Sequence, residues 1–331
     1  MNNSLKALQK RNTYPIRYFI FFLLLPFIVS QGLYRQAQAR QIHTRVGGAN
    51  SGKKHTVTAV KKRPSAKTRK PTHRVSKPTK TAGQKATATT LSLLGPKHAR
   101  VAIKDHRLSG AVYYLASGHG GPDPGAIGHY GKAALAEDEY AYDVTLRLAR
   151  ALLEHDATVY MIIRDPNDGI RDEKILRLDH DEVTYPNQTI PLNQTARLRQ
   201  CTDAVNRLYR KHKGAYQRLI TIHVDSRSVG EMIDVFFYHH DKSAPGKKLA
   251  KHIHRSFDSR YKRSQPNRNY LGTVSDRSSL FVVRNCLPPT VFIELGNIRN
   301  EKDQRRFLLA DNRQALANWI CDGIRADYRG K

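Results

Sequence analysis

The sequence predicts an α/β domain, a sheet flanked by helices, over residues 106–331. Two observations carry that reading. First, the apolar run Ala111–Ala116 leads through a glycine-rich turn into a helical segment, 137–155, and then into a second strand-like run, 157–164. That strand–loop–helix–strand order is a βαβ unit, which builds parallel sheet. Second, runs rich in β-branched and aromatic residues return at 218–226, 231–238 and 290–300, with helical patterns between them.

Taken in order, residues 1–39 read as a signal peptide or N-terminal anchor. Lys6, Lys10, Arg11 and Arg17 precede the run Phe19–Val29, which is short and interrupted by Pro26. Such a run suits a signal-peptide core better than a membrane span. A small-x-small site, Ala37-Gln38-Ala39, follows at a long spacing, so an uncleaved anchor stays open. Either way the rest of the chain is expected to be exported.

Residues 40–105 read as a disordered basic tether. No Asp or Glu occurs before Asp105, and residues 1–104 hold 22 Lys and Arg. The remaining 35 basic and 28 acidic residues leave the rest near +7, out of +29 for the whole chain. A segment such as KKRPSAKTRKPTHRVSKPTK has too little apolar surface to offset its ordering entropy. Anionic envelope polymer or a membrane surface is the partner its charge suits, with a plain solvated spacer as the alternative. Export argues against nucleic acid.

From about Leu108 the composition turns globular. The strand 111–116 delivers His119 into the turn GHGG, where glycines leave the imidazole uncrowded. In the helix 137–155, Tyr140, Val144, Leu148 and Leu152 form one face, and acids crowd the first turn, where the helix dipole favours them. Residues 165–195 are polar and suggest a hairpin or lid over Lys174–Pro191. A helix is expected at 194–212, then a strand at 218–226 presenting His223. A strand at 231–238, a helix at 247–257, a loop at 266–280 and a short strand at 280–283 follow. The strand 290–300 carries Glu294 in an otherwise apolar run. A closing helix, 304–328, has Leu308, Leu309, Leu316 and Trp319 to bury. Cys201, Cys286 and Cys321 are too few and too scattered for a disulfide framework. They read as small buried hydrophobes, with one bridging pair as the alternative.

Two histidines at strand ends and an acidic helix start suit a divalent site. Catalytic zinc commonly takes two His and one Glu and keeps a fourth position for water. Glu294 costs free energy in its apolar strand unless it has a partner or a task. One reading is a salt bridge to Arg284 or Arg299; the other is a general base.

Four motifs, in order, resemble the zinc-dependent N-acetylmuramoyl-L-alanine amidases of bacterial cell walls. They are GHGGPDPGAIG at 118–128, the acidic helix start EDEYAYDVTLRLA from Glu137, TIHVDS at 221–226 and VFIELGNIRN at 291–300. Arg284, in FVVRN, matches a Leu-Arg that commonly precedes the last strand. The resemblance covers residues 108–328. It implies a mixed, mostly parallel sheet flanked by helices, of the phosphorylase/hydrolase type. It also implies zinc held by His119, Glu137 and His223, Glu294 as acid/base, and a role for Arg284 at the oxyanion or beside Glu294. The implied reaction is cleavage of the amide between muramic acid and L-Ala of the peptidoglycan stem. A non-catalytic wall-binding module and a zinc peptidase are the competing readings. The chain departs from the family at Ala116-Ser117, where Asp-Pro is usual, and in a longer 165–195 segment. A longer gap after His119 leaves the helix acid open among Glu137, Asp138 and Glu139. Matching the helix to the family's favours Glu137, with Glu139 next.

Overall fold

A computed structural model describes residues 87–226 and 230–331. The expected signal segment and most of the expected tether lie outside these residues. The central sheet has six strands, numbered here in chain order: β1 Ala111–Ser117, β2 Thr158–Met161, β3 Tyr216–Asp225, β4 Phe236–His239, β5 Thr273–Asp276 and β6 Thr290–Asn297. Their spatial order is β5-β4-β6-β3-β1-β2. Only β4 and β6 pair antiparallel; all other neighbours are parallel. The fold is therefore the mixed, mostly parallel α/β sheet that the βαβ pattern and the resemblance led to.

Strand side chains alternate between faces. Tyr113, Leu115, Ile220, Ile222, Val291 and Ile293 point into the main core, against helices α1 (Glu137–Leu153), α3 (Ala244–Ser264) and α6 (Ala310–Arg329). The opposite face, with Tyr114 and Leu219, packs against α2 (Gln194–Lys211) and meets α4 (Phe281–Asn285). Helix α1 is covered on nearly every side, which explains why even Thr145 and Asp143 are buried. Asn193 caps α2 through the Ala196 N–H at 3.0 Å, and Ser243 caps α3 through the Gly246 N–H at 3.1 Å. Helix α5 (Glu301–Leu308) leads into α6.

Several elements differ from expectation. Residues 281–285 form α4 rather than a strand, because the segment packs Val283 against Tyr238 of β4 and Phe292 of β6 as a single turn. The expected loop 266–280 contains edge strand β5, paired only with β4. Strand β4 starts at Phe236, not 231, since residues 231–235 are held by side-chain bonds such as Ile233 N–H to Asp303 Oδ2 at 3.0 Å. Helix α3 is longer at both ends, and the closing helix is two helices broken at Leu309, which is 49% exposed rather than buried. Residues 157–164 split between β2 and a short strand, Ile163–Arg164, which forms a small three-stranded sheet with Val183–Thr184 and Gln188–Thr189. A hairpin, Ala88–Thr90 with Arg100–Ala102, lies within the segment expected to be tether. Leu94 and Val101 are fully buried there, so the folded part includes this hairpin rather than starting near 106. All three cysteines are unpaired, with Cys321 buried and the other two half-buried.

Candidate active site

The site lies at the carboxyl ends of β1, β3 and β6, where open α/β sheets place ligands. Strand β1 ends at Ser117, and the Gly118 N–H donates to Ile222 O at 2.7 Å, keeping the chain beside β3. A Cβ at position 118 would stand 2.2 Å from His223 Nδ1, so only glycine admits that ring. His119 follows with φ +67°, a left-handed conformation rarely adopted outside glycine.

Glu137, the first residue of α1, sits between the two imidazoles. Its Oε2 is 3.2 Å from His119 Nε2, and its Oε1 is 2.9 Å from His223 Nδ1. The carboxylate also accepts from Ala126 N–H at 2.9 Å and Val224 N–H at 3.0 Å. On the far side of His119, Nδ1 is 3.0 Å from Asp123 Oδ2, which in turn holds Arg197 Nη2 at 2.5 Å. His223 stacks on Phe292, ring centroids 4.2 Å apart.

The structure thus brings His119, Glu137 and His223 together and separates them from Glu139. Glu139 is engaged by Arg171 Nη1 at 2.9 Å and by the Asp179 N–H at 3.0 Å. Asp138 is turned toward Glu139 and Glu182 instead. Glu294 enters from β6, in register with His223 across the parallel β3/β6 pair. Its Oε2 is buried without a hydrogen-bond partner, and it makes no ion pair with Arg284 or Arg299. Arg284 is exposed on α4 and makes no hydrogen bond or ion pair with any of these residues. Arg277, over the Tyr238 ring at 5.0 Å, is the arginine whose charge Glu294 feels.

Carboxylates dominate the charge around the two imidazoles. Burial works against the His119 imidazolium, yet the Asp123 and Glu137 carboxylates outweigh it and push His119 up to about 10. Burial keeps His223 below its ordinary value despite Glu137. Burial raises Glu137, but hydrogen bonds from both imidazoles more than reverse this and hold it well below the usual range. Glu294 is held well above it, by burial first and then by the Glu137 and Asp225 carboxylates.

The donor set fits a zinc-type ion. One ligand atom from each of His119, Glu137 and His223 lies within 4.8 Å of the other two. Two imidazoles and one carboxylate are a composition that catalytic zinc uses. Gly125, at φ +70°, keeps the approach open: a Cβ there would stand 2.6 Å from His119 Cδ2 and 2.7 Å from Glu137 Oε2. A cavity of about 90 Å³ opens beside the histidines, lined by Thr184, Ile190, Gln194, Arg197, Leu198 and Val282. That is room for about three waters or one small side chain.

Sequence reasoning passed over Asp123 and Arg197. Asp123 lies four residues after His119 inside the GHGGPDPGAIG motif, which was the available signal. Arg197, on α2, carried none.

A family profile described as N-acetylmuramoyl-L-alanine amidase matches residues 114–326. The germination-specific N-acetylmuramoyl-L-alanine amidase of Bacillus subtilis (strain 168) is 26% identical over 220 residues, covering 66% of this chain and 79% of that protein. Among solved structures, the amidase AmiC2 of Nostoc punctiforme aligns at 17% identity and a TM-score of 0.47, covering 68% of this chain and 99% of that one. The catalytic domain of CwlV, from Bacillus (Paenibacillus) polymyxa var. colistinus, aligns at 19% identity and a TM-score of 0.47, covering 67% and 99%.

Proposed function

The chain belongs to the N-acetylmuramoyl-L-alanine amidase family, and from that premise we propose that His119, Glu137 and His223 hold a catalytic zinc ion beside which Glu294 moves the proton. The protein is an N-acetylmuramoyl-L-alanine amidase, hydrolysing the amide between muramic acid and L-Ala of the peptidoglycan stem. The observation that carries the zinc reading is the convergence of two imidazoles and one carboxylate within 4.8 Å. A zinc ion held there supplies Lewis-acid polarisation of the scissile carbonyl and a water of lowered pKa.

The chain's own residues do the rest. Asp123 and Arg197 fix the His119 ring through Nδ1, so that Nε2 faces Glu137. The backbone N–H groups of Ala126 and Val224 hold both oxygens of Glu137 in place. Glu294 has a free Oε2 at the same strand end as His223, placed to take a proton from the attacking water and return it to the departing amine. Arg284, exposed on α4, is part of the proposal in the role that the resemblance implies, at the oxyanion or beside Glu294. The basic N-terminal segment and its apolar run support action outside the cytoplasmic membrane, where peptidoglycan lies, with anionic envelope polymer as the tether's partner.

Digestion of purified peptidoglycan, with zinc or with chelator, followed by mass analysis tests the proposal. Stem peptides beginning at L-Ala are expected, and chelator is expected to stop their release. Glu294→Gln is expected to keep its zinc and lose about 10²–10⁴ in rate. Unchanged release by that variant overturns the assignment of Glu294, and release insensitive to chelation overturns zinc.

A further inference from the structure

A second group of acids stands apart from the histidines. The side chains of Asp165, Asp168 and Asp179 bring carboxylate oxygens within 4.8 Å of one another. Asp165 is 1% exposed. Its Oδ1 accepts from the Asn167 N–H at 2.9 Å and the Asp168 N–H at 2.7 Å. Its Oδ2 is sealed from solvent and has no hydrogen-bond partner, and the same holds for Asp179 Oδ1. Asp181 adds a fourth carboxylate, accepting from Asn167 Nδ2 at 2.5 Å.

Positive charge here is scarce. Arg171 pairs with Asp168 but is shared with Glu139, and it makes no ion pair with Asp165 or Asp179. Burial, with Asp165 as a near neighbour, pushes Asp179 and Asp181 above the usual carboxylate range. Burial pushes Asp168 up as well, despite Arg171. Four carboxylates and two sealed, unpartnered oxygens leave a deficit of positive charge.

We propose that Asp165, Asp168 and Asp179 bind a calcium-class divalent cation, distinct from the ion at His119, Glu137 and His223. The donors are hard oxygens with no imidazole or thiolate among them, which suits Ca²⁺ and disfavours zinc. Ca²⁺ takes six to eight oxygens in adaptable geometry, so the carboxylates with waters complete the shell. Asp138, Glu139 and Glu182 form a third acidic group, but all three are at most 4% exposed. There Glu139 is paired with Arg171 Nη1 at 2.9 Å and Glu182 Oε2 accepts from the Gly121 N–H at 2.6 Å, so part of that group's charge is already answered by the protein.

The cation clasps the two ends of the 165–182 excursion to each other. Immediately after Asp179, His180 Nδ1 meets Gly121 O at 2.8 Å, and Glu182 Oε2 accepts from the Gly121 N–H at 2.6 Å. Gly121 belongs to the turn that carries His119. The ion therefore orders a segment that grips the active-site turn by both its backbone groups.

The test is calcium titration of the zinc-loaded full-length chain by calorimetry, with thermal unfolding alongside. One saturable equivalent of Ca²⁺ and a rise of several degrees in the unfolding midpoint are expected. Asp165→Asn and Asp179→Asn are each expected to weaken uptake about tenfold or more. His119→Ala is expected to lose zinc and keep its calcium. Asparagine retains the oxygen that caps the 167–168 turn and removes repulsion. In calcium-free buffer with zinc kept saturating, Asp165→Asn is therefore expected to match or exceed the parent's stability, with the order reversed in calcium. A purely structural Asp165 gives no reversal. Absence of saturable uptake, uptake unchanged in both Asn variants, or uptake lost in His119→Ala overturns the proposal. So does uptake of Mg²⁺ alone. None of these readings depends on hydrolysis, so they stand whether or not the zinc assignment does. Should Asp165→Asn fail to fold, half-exposed Asp179→Asn carries the test.

Discussion

His119 is held by a chain of charges, His119–Asp123–Arg197, that spans 74 positions between Asp123 and Arg197. Carboxylates behind metal-binding imidazoles fix the ring and raise its basicity, and their loss typically costs about 10–100-fold in affinity. Asp123→Asn is therefore expected to weaken zinc binding by about that factor, read by competition with a chelating dye, while the unfolding midpoint barely moves. Unchanged affinity would show that Glu137 and the left-handed backbone orient the ring without help. At this scale the sequence was most legible where a residue stood against its surroundings: a histidine after glycines, a glutamate in an apolar strand. Asp123 sat inside a motif that had been read for its glycines. Arg197 reaches the site only through the packing of α2, which no local pattern encodes. Arg284 is exposed on α4, and its role rests on its motif neighbours alone.

The segment between β2 and α2 is built less by its own propensities than by what it leans on. Arg313 of α6, fully buried, meets Asp143 of α1 at 2.6 Å and donates to the carbonyls of Arg171 at 2.8 Å and Glu173 at 3.0 Å. A sequence reading assigns such an arginine to a solvated helix face, so neither this anchor nor the order of the segment was legible. The long strands and α1 were legible because each is an apolar run or stripe long enough to stand out from its polar flanks, even though β1, β6 and α1 are buried on nearly every side. Segments 273–276 and 281–285, too short to show a period, were not. Within the segment, burial pushes the Glu182 carboxyl up to about 7, with Glu139 and Asp179 adding to it against the Gly121 N–H. A carboxyl whose folded pKa lies above its unfolded value of 4.5 holds its proton longer when folded. Its contribution to stability is therefore lost as pH rises from about 4.5 through 7. Glu182→Gln, which can still accept from Gly121, is expected to gain stability on the order of 3 kcal/mol above pH 7 relative to the parent, and little at pH 4.5. Urea midpoints at the two pH values check this; an equal gap at both would mean that Glu182 is not the group titrating.

On the scale of the molecule, charge and core are divided along the chain. Residues 1–86 hold 19 Lys and Arg and no acid, so their removal lowers the formal charge from +29 to +10. The core begins no later than Leu94, fully buried against the same cluster as α1 and α6. Composition alone put that start near residue 106, because one hairpin with two buried side chains hardly shifts a basic stretch's average. The hairpin and the basic segment therefore answer to different physics: the first to burial, the second to long-range charge. A chain beginning at residue 87 is expected to keep its fold, its metal and its rate on soluble muropeptides. It is expected to lose salt-sensitive adsorption to intact peptidoglycan carrying anionic polymer, since attraction between exposed charges fades beyond about 8 Å at physiological ionic strength. The parent's adsorption should fall toward that of the truncated chain as salt rises, and the two should converge near molar salt. Adsorption that resists salt, or that survives truncation, would move wall binding from the basic segment to the folded domain.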